Sequence, residues 1–232
     1  MRAGRGPTIS MPSEGIRIPG AVRDLQSFRR WARSGSFPER GRIDWIAGEM
    51  EIEMTPEDLN THGATKSGIA REIGNIVEPS EMGMVYTDRC RLSTPSAELS
   101  VEPDVVVLLF ETVESGRVKL IPKASREAGR YVEIEGAPDL VVECVSDSSE
   151  GKDTVRLKDR YFRAGIREYW IVDARSAPPS LMVLTRGRRA YRETPSRADG
   201  FIPSAVLGLA VRLVRIPTRA GLVRYRLETR PL

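Results

Sequence analysis

Pro138-Asp139-Leu140-Val141-Val142-Glu143-Cys144-Val145-Ser146 reads as an almost unbroken apolar run, the pattern of a strand covered on both faces, yet it carries a carboxylate in its middle. A second run, Val101-Glu102-Pro103-Asp104-Val105-Val106-Val107-Leu108, repeats the pattern with Asp104 near its start. An ionised carboxylate buried in this way is costly unless a metal or a cation compensates it. Two of them in adjacent core strands point to a divalent metal. Period-two alternation puts Asp139, Val141, Glu143 and Val145 on one face, and Glu102, Asp104, Val106 and Leu108 on one face of the other strand. If the strands pair with those faces matched, Asp104 and Glu143 converge.

The next segment, Asp153 to Gly165, has the spacing of a helix, with Gly165 as its C-cap. Lys158 stands three residues after Val155 and four before Phe162, which predicts an inward-facing lysine on the apolar stripe. Arg167-Glu168-Tyr169-Trp170-Ile171-Val172-Asp173 then reads as a further buried strand. Each acid also has a plainer reading. Pro103-Asp104 and Pro138-Asp139 suit turns at strand starts, Glu143 suits a buried ion pair with Lys158, and Lys158 alone suits a snorkelling surface lysine.

Taken together, Gly136 to Glu143, the loop Ser146 to Ser149, Asp153, Lys158, Tyr161 and the run Gly165 to Asp173 resemble the Uma-two family of restriction-type endonucleases, within the PD-(D/E)XK nuclease superfamily. The resemblance covers about residues 40–215 and is most specific from Gly136 to Asp173. It implies an α/β restriction-endonuclease-like core in the order α-β-β-β-α-β on a mixed sheet, with an added N-terminal helix and hairpins. It also implies Asp104 and Glu143 as catalytic metal ligands for Mg²⁺ (or Mn²⁺), with Lys158 as the catalytic lysine. The motif lysine two residues after the second acid is replaced by Val145, and Lys158 matches the place on the following helix where the family carries it. Asp147 and Cys144 depart from the family pattern, the first in a loop and the second in the core.

The chemistry suits these residue types. Phosphodiester hydrolysis adds charge to an anion, so hard oxygen ligands place a divalent cation where that charge develops, and the cation lowers the pKa of bound water. Softer metals are disfavoured by a single histidine, His62, and two distant cysteines, Cys90 and Cys144. Thr61 to Glu78 reads as the first core helix, with Ile69, Ile73, Ile76 and Val77 inward, and Glu72 on it is the candidate third carboxylate, with a solvated flank glutamate as the alternative. His62 is expected to cap or pack, although the resemblance includes a histidine there.

Residues 1–19 are rich in Gly, Pro, Ser and Arg and are expected to be disordered, residues 20–216 to form one domain, and 217–232 a frayed tail. Val22 to Arg33 reads as a basic amphipathic helix. Arg42 to Met54 reads as a hairpin turning at Ala47-Gly48 with Glu49, Glu51 and Glu53 on one solvated face, and Leu181 to Glu193 as a second hairpin. The 232 residues are 40% hydrophobic and carry a net charge of +4, which favours one globular domain with a polyanionic partner. Arg186, Arg188, Arg189 and Arg192 cluster at the second hairpin as candidate DNA contacts. Neither a signal sequence nor a membrane span is read, so a cytoplasmic protein is expected, with a homodimer open. The resulting expectation is a Mg²⁺-dependent endonuclease on DNA. The alternatives are a catalytically inactive nuclease-fold DNA-binding or assembly protein, and a metal-free acid-base enzyme.

Overall fold

The computed structural model describes residues 9–11, 16–125 and 127–232. Strands are numbered in chain order. The acid-bearing runs lie side by side in a six-stranded mixed sheet whose order is β14 (Tyr191–Glu193), β13 (Ser180–Arg186), β12 (Glu168–Asp173), β11 (Leu140–Cys144), β8 (Val105–Leu109) and β5 (Gly83–Thr87). β11 pairs parallel with β12 and antiparallel with β8. The only way to join parallel neighbours is a crossover, and here it is made by α4 (Lys158–Ala164) and the π-helical turn Lys152–Leu157 before it. With α2 (Thr65–Val77) ahead of β5, the chain runs α2, β5, β8, β11, α4, β12, which is the core order expected.

A second six-stranded sheet, in the order β4 (Glu49–Glu53), β3 (Arg42–Ile46), β7 (Leu99–Val101), β6 (Leu92–Thr94), β10 (Tyr131–Gly136) and β9 (Val118–Pro122), packs against one face of the first. Between them lies an apolar layer that includes Val106, Leu108, Val141 and Val145 from β8, β11 and its end, Leu92 and Leu99 from the second sheet, and Leu157 and Tyr161 from the crossover. The opposite face presents Val105, Val107, Leu140, Val142 and Cys144 to α2 and to a three-stranded sheet of β15 (Ile202–Ser204), β16 (Leu209–Pro217) and β17 (Val223–Pro231). The short helix α3 (Phe110–Glu114) follows β8 directly. A third cluster joins Phe28 and Trp31 of α1 (Leu25–Ala32) to Ile43 and Trp45 of β3. Asp24 caps α1 by accepting from the Ser27 N–H at 2.7 Å. The Ala47-Gly48 turn takes positive φ at both residues, as a two-residue hairpin requires.

Several expectations give way. The expected disorder of residues 1–19 fails where the chain is described, because β1 (Ile9–Met11) pairs antiparallel with β2 (Ile16–Ile18), whose two isoleucines are buried. The remainder of that segment lies outside the described residues. The tail expected to fray forms β17, paired along its whole length with β16. Glu49, Glu51 and Glu53 are not merely solvated: Arg156 bonds Glu49 and Glu51, and Lys152 sits 3.7 Å from Glu53. The fully buried stripe of the crossover is Asp153, Leu157 and Tyr161; Phe162 packs partly buried against the same core as expected, whereas Lys158 is only half-buried and Val155 is 67% exposed. A π-helical turn adds a residue per turn, which shifts the phase of any stripe extrapolated at 3.6. No helix among the described residues is long and apolar enough to cross a membrane.

Gly68 marks a tight seam between α2 and β17. A Cβ there would lie 2.4 Å from the Tyr225 carbonyl oxygen of β17. Gly to Ala inside a helix ordinarily stabilises by about 1 kcal/mol. Gly68→Ala is expected to reverse that sign and destabilise by about 1 to 3 kcal/mol as α2 is pushed off β17. Urea unfolding measures it, and a stabilised variant would contradict the packing described.

Candidate active site

Continuing the register of β8 and β11, in which Val105 faces Val142, puts Asp104 opposite Glu143. Both side chains lie on the face shared with Val106, Leu108, Val141 and Val145, so the alternation delivers them to one place. Asp104 Oδ2 accepts from the Cys144 N–H at 2.7 Å, which locks the carboxylate to the end of β11. Glu143 Oε1 accepts from the Tyr161 hydroxyl at 2.6 Å, which ties it to α4. Arg42, at the start of β3, reaches both: its Nη2 is 3.4 Å from Glu143 and its Nη1 is 4.0 Å from Asp104, while Nε bonds Asp44 at 2.9 Å. The second sheet therefore supplies an acid and a cation to a site whose motif acids come from the first.

Asp153 completes the acid group. It is buried, it accepts from the Ser149 hydroxyl through Oδ2, and its Oδ1 has no hydrogen-bond partner. The lysine beside these acids is Lys152, with Nζ 3.7 Å from Asp44 and a side chain only 10% exposed. On the other side, His62 Nε2 lies 3.4 Å from Asp104 Oδ2 and Nδ1 lies 3.2 Å from Glu57, although Nδ1 is not aligned for a hydrogen bond. Glu57, His62 and Asp104 each offer one atom within 4.8 Å of the others, so a cation could be held here too. Arg42, Glu57, His62 and Asp104 line a cleft of about 590 Å³, together with Ser146 to Ser149 after β11 and Arg175 after β12; Asp44, Glu143, Lys152 and Asp153 are not part of its wall.

The charges are out of balance, and the titration behaviour follows. Burial pushes Glu143 up to about 8; Arg42 opposes this, and Asp104 and Asp153 add to it. Burial likewise raises Asp153 to about 6, against the Ser149 hydrogen bond. Asp104 goes the other way: burial works against its charge, but the contact with His62 and the Arg42 guanidinium hold it below the ordinary value. For His62, burial would lower the pKa, and Asp104 and Glu57 more than offset it. In Arg42 too, burial is overcome, by Asp44, Glu143 and Asp104.

The expected site residues thus divide. Asp104 and Glu143 come together. Lys158 does not join them: it stands on the flank of α4, and its side chain makes no ion pair or hydrogen bond among the described residues. Glu72 is also excluded, because α2 packs on the opposite face of the sheet and Glu72 turns to Arg71, 3.8 Å away. The Arg186, Arg188, Arg189 and Arg192 hairpin lies at the far end of the sheet, since Thr185 pairs with Glu168 and Glu168 with Leu140. Arg186 there stacks over Phe162 at 4.2 Å. Arg42, Asp44 and Lys152 had no signal in a local pattern, because two come from a hairpin of the other sheet and the third precedes the helix. Asp153 stood in the quoted run without a role.

Residues 25–215 match the family model "Uma2: Putative restriction endonuclease". The crystal structure of a putative nuclease belonging to DUF820 from Anabaena variabilis ATCC 29413 has a similar fold, with a TM-score of 0.59 at 17% identity, over 79% of this chain and 90% of that one. Among curated proteins none matches. The family and the fold support a nuclease role.

The raised carboxyls set a pH dependence of stability. Glu143 has a folded value above its ordinary 4.5, so folding takes up a proton, and stability falls as pH rises from about 4.5 through about 8. Asp153 adds to that fall between 3.8 and about 6. His62 contributes stability that is complete below 6.5 and lost as pH rises through its raised folded value, the same direction. In EDTA the urea midpoint is therefore expected to drop from pH 5 to pH 8.5. Glu143→Gln should flatten most of the drop and gain on the order of a few kcal/mol at pH 8.5. A slope as steep in Glu143→Gln as in wild type would show that Glu143 is not the strained group.

Proposed function

Because the chain belongs to the Uma2 family of putative restriction endonucleases, we propose that it is a Mg²⁺-dependent endonuclease that hydrolyses DNA phosphodiester bonds. One observation carries this reading: Asp44, Asp104, Glu143 and Asp153 form a buried cluster in excess of the positive charge beside them, reached from the cleft through Asp104 and Arg42, and Asp153 Oδ1 is left buried without a partner. An all-oxygen set of this kind fits a hard divalent cation. Asp104 and Glu143 would hold it, with Asp153 taking the third-carboxylate place that Glu72 cannot reach. Bound there, Mg²⁺ (or Mn²⁺) supplies charge to the scissile phosphate and acidifies a water.

The chain's own groups do the rest. Cys144 N–H fixes the rotamer of Asp104, and the Tyr161 hydroxyl fixes that of Glu143, so both oxygens are oriented before any ligand arrives. Lys152 takes the lysine's role expected of Lys158, because its ammonium lies beside the acids, 3.7 Å from both Asp44 and Glu53. Arg89, exposed on the rim and free of ion pairs among the described residues, is the cation best placed for a neighbouring phosphate, whereas Lys66 and Arg175 are already held by acids. The DNA path we propose thus crosses the cleft and not the Arg188-Arg189 turn. Two free cysteines suit the reducing cytoplasm.

Supercoiled plasmid with Mg²⁺ tests the assignment. Asp104→Ala and Glu143→Ala are each expected to cut cleavage by about 100-fold or more. Lys152→Ala should be severe and Lys158→Ala close to wild type; the reverse order would return the role to Lys158. Mg²⁺ at a hundredfold excess over its Kd should stabilise wild type by about 2.7 kcal/mol and leave Asp104→Asn unmoved. Wild type that neither cleaves nor gains stability with Mg²⁺ or Mn²⁺ would be a nuclease fold without turnover.

A further inference from the structure

The side chain of Arg42 is the only guanidinium among the described residues that faces three buried carboxylates from different strands. Its three contacts are unequal. Nε to Asp44, at 2.9 Å, has the length of a charge-assisted hydrogen bond. Nη2 to Glu143 at 3.4 Å and Nη1 to Asp104 at 4.0 Å are longer than that, so the two terminal nitrogens face these acids without being bound tightly to either. The anchor is itself held, since Asp44 is 1% exposed and its Oδ1 accepts from the Glu102 N–H at 3.1 Å. Arg42 also lines the cleft, with its side chain 20% exposed, so the guanidinium is reachable from solvent while its Asp44 anchor is buried.

We propose that Arg42 is a resident counter-cation, tethered through Asp44, whose terminal nitrogens occupy the place of the divalent metal and are displaced when metal enters. This rests on the metal-site reading of Asp104 and Glu143. Two cations cannot sit together between the same oxygens, because each repels the other and both need the same lone pairs. Without metal, the buried acids would repel one another, and the guanidinium holds them in position. With metal, its charge becomes a competitor that weakens binding. The arrangement therefore keeps the ligand pair folded and oriented at low metal and sets the metal concentration at which the site loads.

The test needs no DNA. Calorimetric titration with Mn²⁺ compares wild type with Arg42→Gln and Arg42→Lys, and thermal melting in EDTA follows the metal-free state. Arg42→Gln is expected to bind Mn²⁺ about tenfold or more tightly, a gain of about 1.4 kcal/mol per tenfold, and to melt lower in EDTA. Arg42→Lys, which keeps one charge but cannot span three acids, should fall between. Should Arg42→Gln not fold, the Arg42 Nε–H resonance of wild type, titrated with Mg²⁺, replaces it: a shift that saturates with the calorimetric binding curve is expected, and a resonance unmoved at saturation overturns displacement. Equal or weaker Mn²⁺ binding in Arg42→Gln, with wild type binding normally, overturns this proposal and leaves the metal site standing. No binding in either protein overturns the metal site and the proposal with it.

Discussion

The surplus of buried carboxylate around one guanidinium is the constraint on which the cleft depends. A buried ion pair repays its desolvation only when every oxygen and every N–H is answered. Here the answers come from far apart in the sequence. Arg42 and Asp44 arrive on β3, Asp104 at the head of β8, Glu143 within β11, and Tyr161 on α4. Removing Arg42 would leave Asp44, Asp104 and Glu143 without their shared cation, so the two large sheets are held in register at this seam by electrostatics as well as by the apolar layer between them. The apolar layer sets how closely the sheets approach, and the polar seam sets which residues meet.

The same logic explains the acidic face of β4. Glu49 and Glu51 take Arg156, and Glu53 takes Lys152 and the Ser148 hydroxyl. These contacts are partly exposed, and each is worth little alone. Their joint effect is positional: they hold the π-helical turn Lys152–Leu157 against β4, with Asp153 and Lys152 turned inward. A turn of this kind inside a helix is often found at a functional position, and here it brings a buried acid into the stripe.

Most of the fold could be read in the sequence because it rests on local period. Alternation in β8 and β11 assigned Asp104 and Glu143 to a common face, the Ala47-Gly48 turn announced its hairpin, and Gly165 closed α4 in the left-handed conformation as expected. What could not be read depends on phase or on distance. Lys158 was assigned inward by extrapolating 3.6 residues per turn through a segment that begins as a π turn. Glu72 shares a helix with the inward Ile69 and Ile73, but nothing in that periodicity says which face of the sheet the helix will cover. Arg42 and Asp44 sit beside the motif acids only because β3 joins a different sheet. No pattern within the hairpin itself could have reported that.

Burial of an acid is therefore not what distinguishes a site residue in this chain. Asp139 and Glu168 are as deeply buried as Glu143 and share its strand or a neighbouring one. Asp139 accepts from the Leu109 N–H at 3.0 Å and the Thr112 hydroxyl at 2.8 Å, and Glu168 accepts from the Val206 N–H at 3.0 Å and the Trp170 indole at 2.8 Å. Asp139 also takes Arg167 at 3.3 Å, so fixed donors satisfy both carboxylates, which knit loops to the sheet and have no use for a further cation. Glu143 has one hydroxyl and a distant guanidinium, and Asp153 leaves an oxygen bare. The sheet thus carries two kinds of buried acid, told apart by their donors. The under-supplied kind collects where β8 begins and β11 ends, next to the cleft that Asp104 and Arg42 line, where a cation from solvent can make up the deficit.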